Sequence, residues 1–162
     1  MTSWRGALAE LLAVRGQALK RFAYLLCGDD AEADDLVQEA LVKVLSRRAT
    51  GEVRSLERYV RQTIVNIYLD RTRKHKTWLG YLSRVAEPER EGDWTSDVVR
   101  DDEVRTSLFA LSPLQRACVV LRFYDDLTIA QVAQALGCSQ GAVKRHLSDS
   151  MARLRTRLNE NI

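Results

Sequence analysis

Apolar residues recur at helical spacing along most of the 162-residue chain. Over residues 4–27 they follow intervals of three and four, and over 30–47 they form adjacent pairs repeated every four residues. Such patterns are typical of amphipathic helices that bury one face. Gly28 is predicted to end the first helix, and Asp29 or Asp30 to cap the second. No segment alternates as a strand does, so the sequence predicts an all-α protein.

A third helix is predicted over residues 55–75, with Ser55 as its N-terminal cap. One face of this helix is apolar, which suits packing on a core. The other face is polar and mostly basic, so the same helix also offers a surface to a partner. That face comprises Arg58, Gln62, Asn66, Asp70 and Arg73.

Helical periodicity is lost over residues 79–103, which contain Pro88, Gly92 and a high density of acids. This composition is typical of a linker or a loosely held segment. We therefore expect two small helical domains, residues 1–78 and 104–162, joined by an acidic linker.

Two further helices are predicted to begin the second domain. The helical pattern resumes near Asp101, and Ser112-Pro113 marks another helix start because proline suits the first turn. That helix is expected to carry Phe123 in its apolar part and to end near residues 124–126.

The most specific motif occupies residues 127–158. Thr128 and Gln131 have the spacing of a capping box, Gly137 suits a tight turn, and Ser139 suits the cap of a longer helix. A short helix, a glycine turn and a second helix with polar and basic residues near its start predict a helix-turn-helix. The side chains placed to read base edges in a major groove are Gln140, Lys144, Arg145 and Ser148. The alternative is a solvated basic helix face.

Charge alternates in blocks, although the net charge of +3 is too small to indicate a nucleic-acid partner by itself. Residues 29–39 and 86–103 are acidic, whereas residues 47–76 and 140–157 are basic. Two separated basic patches favour two DNA contacts over one.

The acids at the start of the second helix can form charge-assisted contacts with a basic partner surface. The alternative is an acid-rich N-terminus that only complements the helix dipole. Carboxylates clustered on one helix lack the loop geometry of a calcium site. The polar residues concerned are Asp34, Asp35, Gln38 and Glu39.

Other residues argue for a cytoplasmic protein without metal, cofactor, small-molecule substrate or membrane insertion. The three cysteines, Cys27, Cys118 and Cys138, are odd in number and lack metal-ligand spacing, which indicates free thiols in a reducing compartment. His75 and His146 have no neighbouring cysteine, so zinc is not supported. No apolar run approaches the roughly 18 residues of a membrane span, and the N-terminus does not resemble a signal peptide.

Two sets of motifs, in the same order, resemble those of the extracytoplasmic-function sigma factors of bacterial RNA polymerase. LSPLQR at 111–116, LTIAQVA at 127–133 and GCSQGAVKRHL at 137–147 resemble the domain that reads the −35 promoter element. DDLVQE at 34–39 resembles the acidic helix that docks on the clamp coiled coil of the largest polymerase subunit. Residues 59–76 resemble the helix that engages the −10 element.

This resemblance implies a sigma factor that binds core RNA polymerase and directs promoter-specific initiation without catalysis of its own. The implied partners are the clamp coiled coil, the flap of the second-largest subunit, promoter DNA and an anti-sigma factor. It assigns polymerase binding to Asp34, Asp35, Gln38 and Glu39, and −35 recognition to Gln140, Lys144, Arg145 and Ser148. For −10 recognition it points to Asn66, Asp70, Arg71 and Arg73 within residues 59–76. The polar face of the same helix adds Arg58 and Gln62 to the candidate −10 residues.

Two other functions remain open from the sequence. A stand-alone helix-turn-helix regulator usually binds a palindromic site as a dimer, but the chain has no obvious dimerisation heptads. A helical enzyme could use the carboxylates of residues 29–39 with a metal, but no nucleophile with a base or phosphate loop accompanies them. Bound metal or unaided high-affinity duplex binding would favour these alternatives.

Overall fold

The computed structural model describes the backbone of residues 4–47, 53–81 and 98–160. Within these ranges the chain is helical and contains no strand, so the predicted all-α class is confirmed. The helices are α1 (Trp4–Cys27), α2 (Asp30–Ser46), α3 (Val53–Tyr81), α4 (Val98–Phe109), α5 (Pro113–Val119), α6 (Ile129–Leu136) and α7 (Gln140–Glu160). A π-helical turn, Val120–Tyr124, continues α5.

Helices α1, α2 and α3 pack on one another, as their apolar faces predict. Phe22, Leu36 and Ile64 are fully buried where the three helices meet. Gly28 ends α1 at a positive φ of 71°, which glycine adopts without a steric penalty. The Asp29 carboxylate accepts a hydrogen bond from the Ala31 N–H at 3.0 Å, so Asp29 is the cap of α2.

Helix α3 is longer than predicted at both ends. It begins at Val53, so Ser55 lies inside the first turn and the predicted Ser55 cap is wrong. It continues to Tyr81, and α4 begins at Val98, so both ends of the expected 79–103 linker are helical. Loss of the apolar stripe does not stop a helix, because each added residue still gains a backbone hydrogen bond.

The Ser112-Pro113 helix start is confirmed, since Ser112 and Gln115 form a capping box and Pro113 occupies the first turn. After α5 the backbone forms a π-helical turn, in which a hydrogen bond spans five residues. Here the Asp125 N–H donates to the Val120 carbonyl at 3.0 Å. The wider turn rotates the following side chains away from the α-helical register. Phe123 is therefore 59% exposed, and its predicted place in the apolar part is wrong.

The N-terminal helices α1–α3 also pack against the C-terminal helices. Helices α1 and α3 contact α5, α1 contacts the π-helical turn, and α3 contacts α6. Buried apolar residues from both halves form one cluster. None of the helices in the described ranges combines the length and apolar character that a bilayer crossing requires.

Candidate nucleic-acid interface

The helix-turn-helix of α6 and α7 is built by local hydrogen bonds that the sequence predicts. The Gln131 N–H donates to the Thr128 hydroxyl at 3.1 Å, and the Thr128 N–H donates to the Gln131 side chain at 2.9 Å. Gly137 adopts a φ of 66° at the turn. The Ala142 N–H donates to the Ser139 hydroxyl at 3.0 Å. The capping box fixes the start of α6, Gly137 ends that helix, and the Ser139 cap fixes the start of α7.

An apolar seam anchors α7 and turns one polar face outward. Val143 is fully buried, and Leu147, Met151 and Leu154 pack on the same core. Three of the predicted base-reading residues follow the first, Gln140, by four, five and eight positions, which brings all four to one side of a helix. All four are exposed, namely Gln140, Lys144, Arg145 and Ser148. The structure therefore presents them together on a rigid support.

The polar face of α3 has two environments. Arg58, Asn66, Asp70 and Arg73 are exposed, as the helical pattern predicts. Gln62 is half-buried, and its amide donates to the Asn66 side chain at 3.1 Å and to the Ala135 carbonyl of α6 at 2.7 Å. Gln62 is thus tied to the helix-turn-helix and is less accessible than the other four residues.

A basic pocket of about 290 Å³ lies beside this face. Its lining combines the polar residues of α3 with cations from the end of α2 and with one apolar residue of α6. These lining residues include Lys43, Arg47, Asn66, Asp70, Arg73 and Leu136. Cations beside amide and carboxylate groups can bind the phosphate and the polar edges of a nucleotide.

The acids of α2 are exposed or half-buried and are paired within the chain. Lys20 of α1 lies 3.4 Å from the carboxylate of Asp34. Arg71 of α3 donates to Asp35 at 2.6 Å and also to Glu39. Burial by itself would lower the pKa of Arg71, but the two carboxylates hold it above its usual value.

Gln38 is the fourth α2 residue predicted to bind polymerase, and it is exposed. Glu39 lies 3.8 Å from Lys43 as well as near Arg71. The pairing of α2 with α1 and α3 has no signal in the sequence, because the partners are distant in the chain. Within the described residues, no three His, Cys, Asp or Glu side chains form a group that could hold a metal ion.

Arg116 is a buried charge that joins the two halves of the molecule. It is only 5% exposed. Within its own half it donates to the carbonyls of Leu108 at 2.9 Å and Leu111 at 3.0 Å. Across the interface it donates to the Leu26 carbonyl at 2.9 Å and to the Tyr68 hydroxyl at 2.8 Å. Burial raises the pKa of Tyr68 to about 12, although Arg116 opposes this effect, so the hydroxyl is neutral as it accepts this bond.

A further polar contact across the interface joins Arg61 of α3 to Asp125 after the π-helical turn. Arg61 also donates to Glu57 at 3.0 Å, and Arg15 donates to the same carboxylate at 3.0 Å. Burial would raise the pKa of Glu57, but these two guanidinium groups hold it below its usual value. The Arg61 guanidinium lies 5.2 Å from the centre of the Phe22 ring.

Two family patterns match the chain, in the order that the helices follow. The pattern described as "Sigma-70 region 2" matches residues 12–77, and the pattern described as "Sigma-70, region 4" matches residues 107–156. The presence of both regions argues against a stand-alone helix-turn-helix regulator.

Similar proteins carry the same family name. The RNA polymerase sigma-E factor of Streptomyces coelicolor is 33% identical over 151 residues, which span 92% of this chain and 84% of the relative. The ECF RNA polymerase sigma factor SigM of Mycobacterium tuberculosis is 29% identical over 153 residues, which span 93% of this chain and 76% of the relative.

A solved structure shares the fold. It is the sigma factor RpoE of Bartonella quintana in complex with the anti-sigma factor NepR, with a TM-score of 0.70 and 22% identity. The match covers 93% of this chain and 96% of that one. Both sigma-70 regions are present, and the two relatives align over 92% and 93% of this chain. The chain therefore belongs to the extracytoplasmic-function sigma factors of RNA polymerase.

Proposed function

We propose that this sigma factor docks on core RNA polymerase through α2 and reads a promoter with α7 and α3. In this mechanism residues 1–78 bind polymerase and the −10 element, residues 79–103 are a linker, and residues 104–162 bind the −35 element. The polymerase supplies the chemistry, and the proposed place of action is the cytoplasm, where polymerase and promoter meet.

The observation that carries the −35 assignment is the exposed polar face of an anchored α7. Lys144 and Arg145 can donate to guanine acceptors in the major groove, and Gln140 can form two hydrogen bonds with adenine. Ser148, one turn further along, suits a base or phosphate contact. The fixed Ser139 cap and the buried Val143 support this face, so the side chains approach the groove with little loss of order.

The −10 assignment is supported by the exposed polar residues of α3 and the adjacent basic pocket. Arg58 and Arg73 can neutralise phosphates, while Asn66 and Asp70 offer groups that pair with base edges. Lys43 and Arg47 extend the same positive surface onto α2. Gln62 belongs to this surface only after its bond to α6 is broken.

The polymerase assignment is supported by the accessible carboxylates of α2. Ion pairs at exposed positions contribute only about 0–1 kcal/mol. A basic helical surface can therefore displace Lys20 from Asp34 and Arg71 from Asp35 without a large cost. We propose the clamp coiled coil of the largest subunit for this contact and the flap of the second-largest subunit for the C-terminal half. An anti-sigma factor is a further proposed partner, as NepR is for the Bartonella protein.

Run-off transcription with core RNA polymerase and a pool of promoter fragments tests the proposal. New transcripts from one −35/−10 pair are expected only when the protein is present. Lys144→Ala and Arg145→Ala should each weaken −35 recognition by about 1–3 kcal/mol. The matched control is Arg5→Ala, which removes the same charge from an exposed position on α1. Promoter binding that is unchanged in both α7 variants would remove them from the site.

Docking is tested separately by co-purification with core polymerase. Asp35→Arg should lose association while keeping its helical circular dichroism spectrum. Glu10→Arg makes the same charge reversal at an exposed site on α1 and should bind normally. Normal binding by Asp35→Arg would refute the α2 docking role.

A further inference from the structure

We infer that the basic pocket between α2, α3 and α6 binds a free guanine nucleotide. Its lining combines cations, a carboxylate, an amide and an apolar wall, which are the groups that suit the phosphates, the base edge and the base face. The inference goes beyond the proposed function, because it concerns a small molecule that the protein binds without polymerase or promoter. The pocket shares Asn66, Asp70 and Arg73 with the proposed −10 surface, but nucleotide binding does not depend on that role.

Three cations line the pocket. Lys43 lies in the last turn of α2, Arg47 is the C-cap of that helix, and Arg73 belongs to α3. Lys43 lies 3.8 Å from the Glu39 carboxylate, and Arg47 donates to the Tyr59 hydroxyl at 3.3 Å. An exposed ion pair of this length is weak, so a phosphate can take the place of the carboxylate. The cations outnumber the acids of the lining, and the pocket therefore attracts an anion.

The concentration of positive charge favours a free nucleotide over a nucleic-acid strand. A strand carries one negative charge for each phosphate, and these charges are spread along its length. A terminal phosphate carries a charge of about −1.5 to −2 at pH 7, and a nucleoside diphosphate adds the charge of its second phosphate beside it. Three cations around one small cavity match such a compact anion.

The orientation of two amide groups in or beside the pocket is fixed by the backbone of α6. The Ala135 carbonyl can only accept, so the group that lies 2.7 Å from it must be the nitrogen of the Gln62 amide. The same nitrogen donates to the Asn66 side-chain oxygen at 3.1 Å. The Asn66 oxygen is therefore used within the protein, and the Asn66 NH2 group is the donor that remains for a ligand.

The base preference follows from the order of donor and acceptor groups along α3. Asp70 lies one turn after Asn66, so the two side chains are neighbours on one face of the helix. The Asn66 NH2 group can donate to O6 of guanine, while the Asp70 carboxylate accepts from N1–H and from the N2 amino group. Adenine presents the opposite order on this edge, because its N6 amino group donates and its N1 accepts. The pair therefore selects guanine.

The remaining lining residues and the size of the pocket suit one nucleotide. Leu136 of α6 is half-buried and provides an apolar wall, beside the buried Ile67 of α3. The volume of about 290 Å³ is near the lower end of the roughly 300–1,000 Å³ typical of small-molecule sites. A single base with its sugar fits this size better than a dinucleotide does.

Isothermal titration calorimetry of the purified full chain tests the inference, with GDP, ADP and guanosine as the probes. GDP should bind about tenfold more tightly than ADP, because a good bidentate base contact discriminates by roughly this factor or more. GDP should also bind more tightly than guanosine, which lacks the phosphates. Arg47→Ala should reduce this advantage of GDP and leave the affinity for guanosine unchanged. Arg5→Ala removes an exposed charge from α1 and should match the wild type.

A base-swap experiment tests the role of Asp70. Xanthine carries an oxygen where guanine carries the N2 amino group, so its edge presents a donor followed by an acceptor. The amide introduced by Asp70→Asn offers the complementary acceptor and donor. Asp70→Asn should therefore lose GDP affinity about tenfold and prefer xanthosine diphosphate. Glu10→Gln neutralises an exposed acid on α1 and should keep the preference for GDP. Because Asp70 is exposed, the variant should fold normally, which circular dichroism verifies.

The outcomes separate this inference from the proposed function. No binding of millimolar GDP to the wild type would overturn the inference. Equal affinities for GDP and ADP would also overturn it, since the pocket would then be a surface that attracts any anion. An Asp70→Asn variant that still prefers GDP over xanthosine diphosphate would overturn the assignment of the base edge to this residue and the inference with it. A lack of run-off transcripts would count against the proposed function alone, because the calorimetry uses neither polymerase nor promoter.

Discussion

Replacing Arg116 with methionine tests whether this buried guanidinium holds the fold together. Methionine keeps an unbranched apolar stem and removes the charge and all the donors. The substitution deletes hydrogen bonds of 2.8–3.0 Å to three carbonyl groups and to the Tyr68 hydroxyl. It also removes a guanidinium that lies 4.0 Å from the centre of the Phe109 ring.

The expected loss of unfolding free energy is about 2–4 kcal/mol. The Leu26 and Leu111 carbonyls each lose the Arg116 donor at a cost of about 1–3 kcal/mol, whereas the Leu108 carbonyl keeps the Leu111 N–H at 3.1 Å. The lost cation–π contact adds about 1 kcal/mol. Against this, the variant no longer desolvates a guanidinium on folding, which recovers several kcal/mol. The balance is a net loss of about 2–4 kcal/mol, below the roughly 3–5 kcal/mol of a broken buried ion pair, because this substitution leaves no uncompensated charge behind.

Urea unfolding followed by far-UV circular dichroism measures the effect. Arg116→Met should lower the midpoint, and Arg116→Lys should be intermediate because an ammonium group cannot reproduce the planar fork. Arg5→Met, at an exposed site, should change stability by no more than about 0.5 kcal/mol. If Arg116→Met unfolds within about 1 kcal/mol of the wild type at an unchanged slope, the hydrogen bonds are fully offset by desolvation and the reasoning is refuted.

Two further predictions concern glycine and cysteine positions. Gly28→Ala should lower the melting temperature more than Gly137→Ala. Both glycines have positive φ, but only at Gly28 would the new Cβ overlap a neighbouring side chain, the Phe109 ring. Equal losses of melting temperature, measured by circular dichroism, would contradict this close contact. A thiol reagent should modify half-buried Cys138 before buried Cys118. Burial, and to a smaller extent the nearby Cys138, raises the pKa of Cys118 to about 12, so little of its reactive thiolate is present. The reverse order of labelling, measured by mass spectrometry of the peptides, would contradict this shielding. Since the folded-state pKa of Cys118 lies above its usual value of 9.0, the contribution of this thiol to stability is complete below about pH 9 and falls as the pH rises towards 12. Urea unfolding between pH 8 and 11 should therefore show a shallower decline in Cys118→Ala than in the wild type, and identical slopes would contradict it.

The helix-turn-helix was predictable because its determinants are local. The Thr128 capping box, the Gly137 turn and the Ser139 cap each involve residues no more than a few positions apart. The exposed face of α7 follows from helical periodicity alone. The roles of these exposed residues in binding DNA stay predictions, since exposure is necessary for contact and does not demonstrate it.

Helix boundaries without a strong stop signal were less predictable. Helix α3 passes beyond residue 75 to Tyr81 although its apolar stripe has ended. The π-helical turn after α5 has no sequence signature of its own, and it changes the direction of Phe123. In both places, backbone hydrogen bonding continued where the side-chain pattern had changed.

The sequence by itself determined the all-α class, most of the helix caps and the family, because these depend on residues close in the chain and on motifs in a fixed order. Only the tertiary structure decided that Arg71 pairs with Asp35, that Gln62 contacts α6, and that Arg116 reaches Tyr68 across 48 positions. Such contacts form when apolar faces from distant segments bury one another, and the polar groups trapped at the seam must then find partners there. The physical reason is that a local pattern specifies which face of a helix is buried, whereas the packing of the whole chain decides what that face meets.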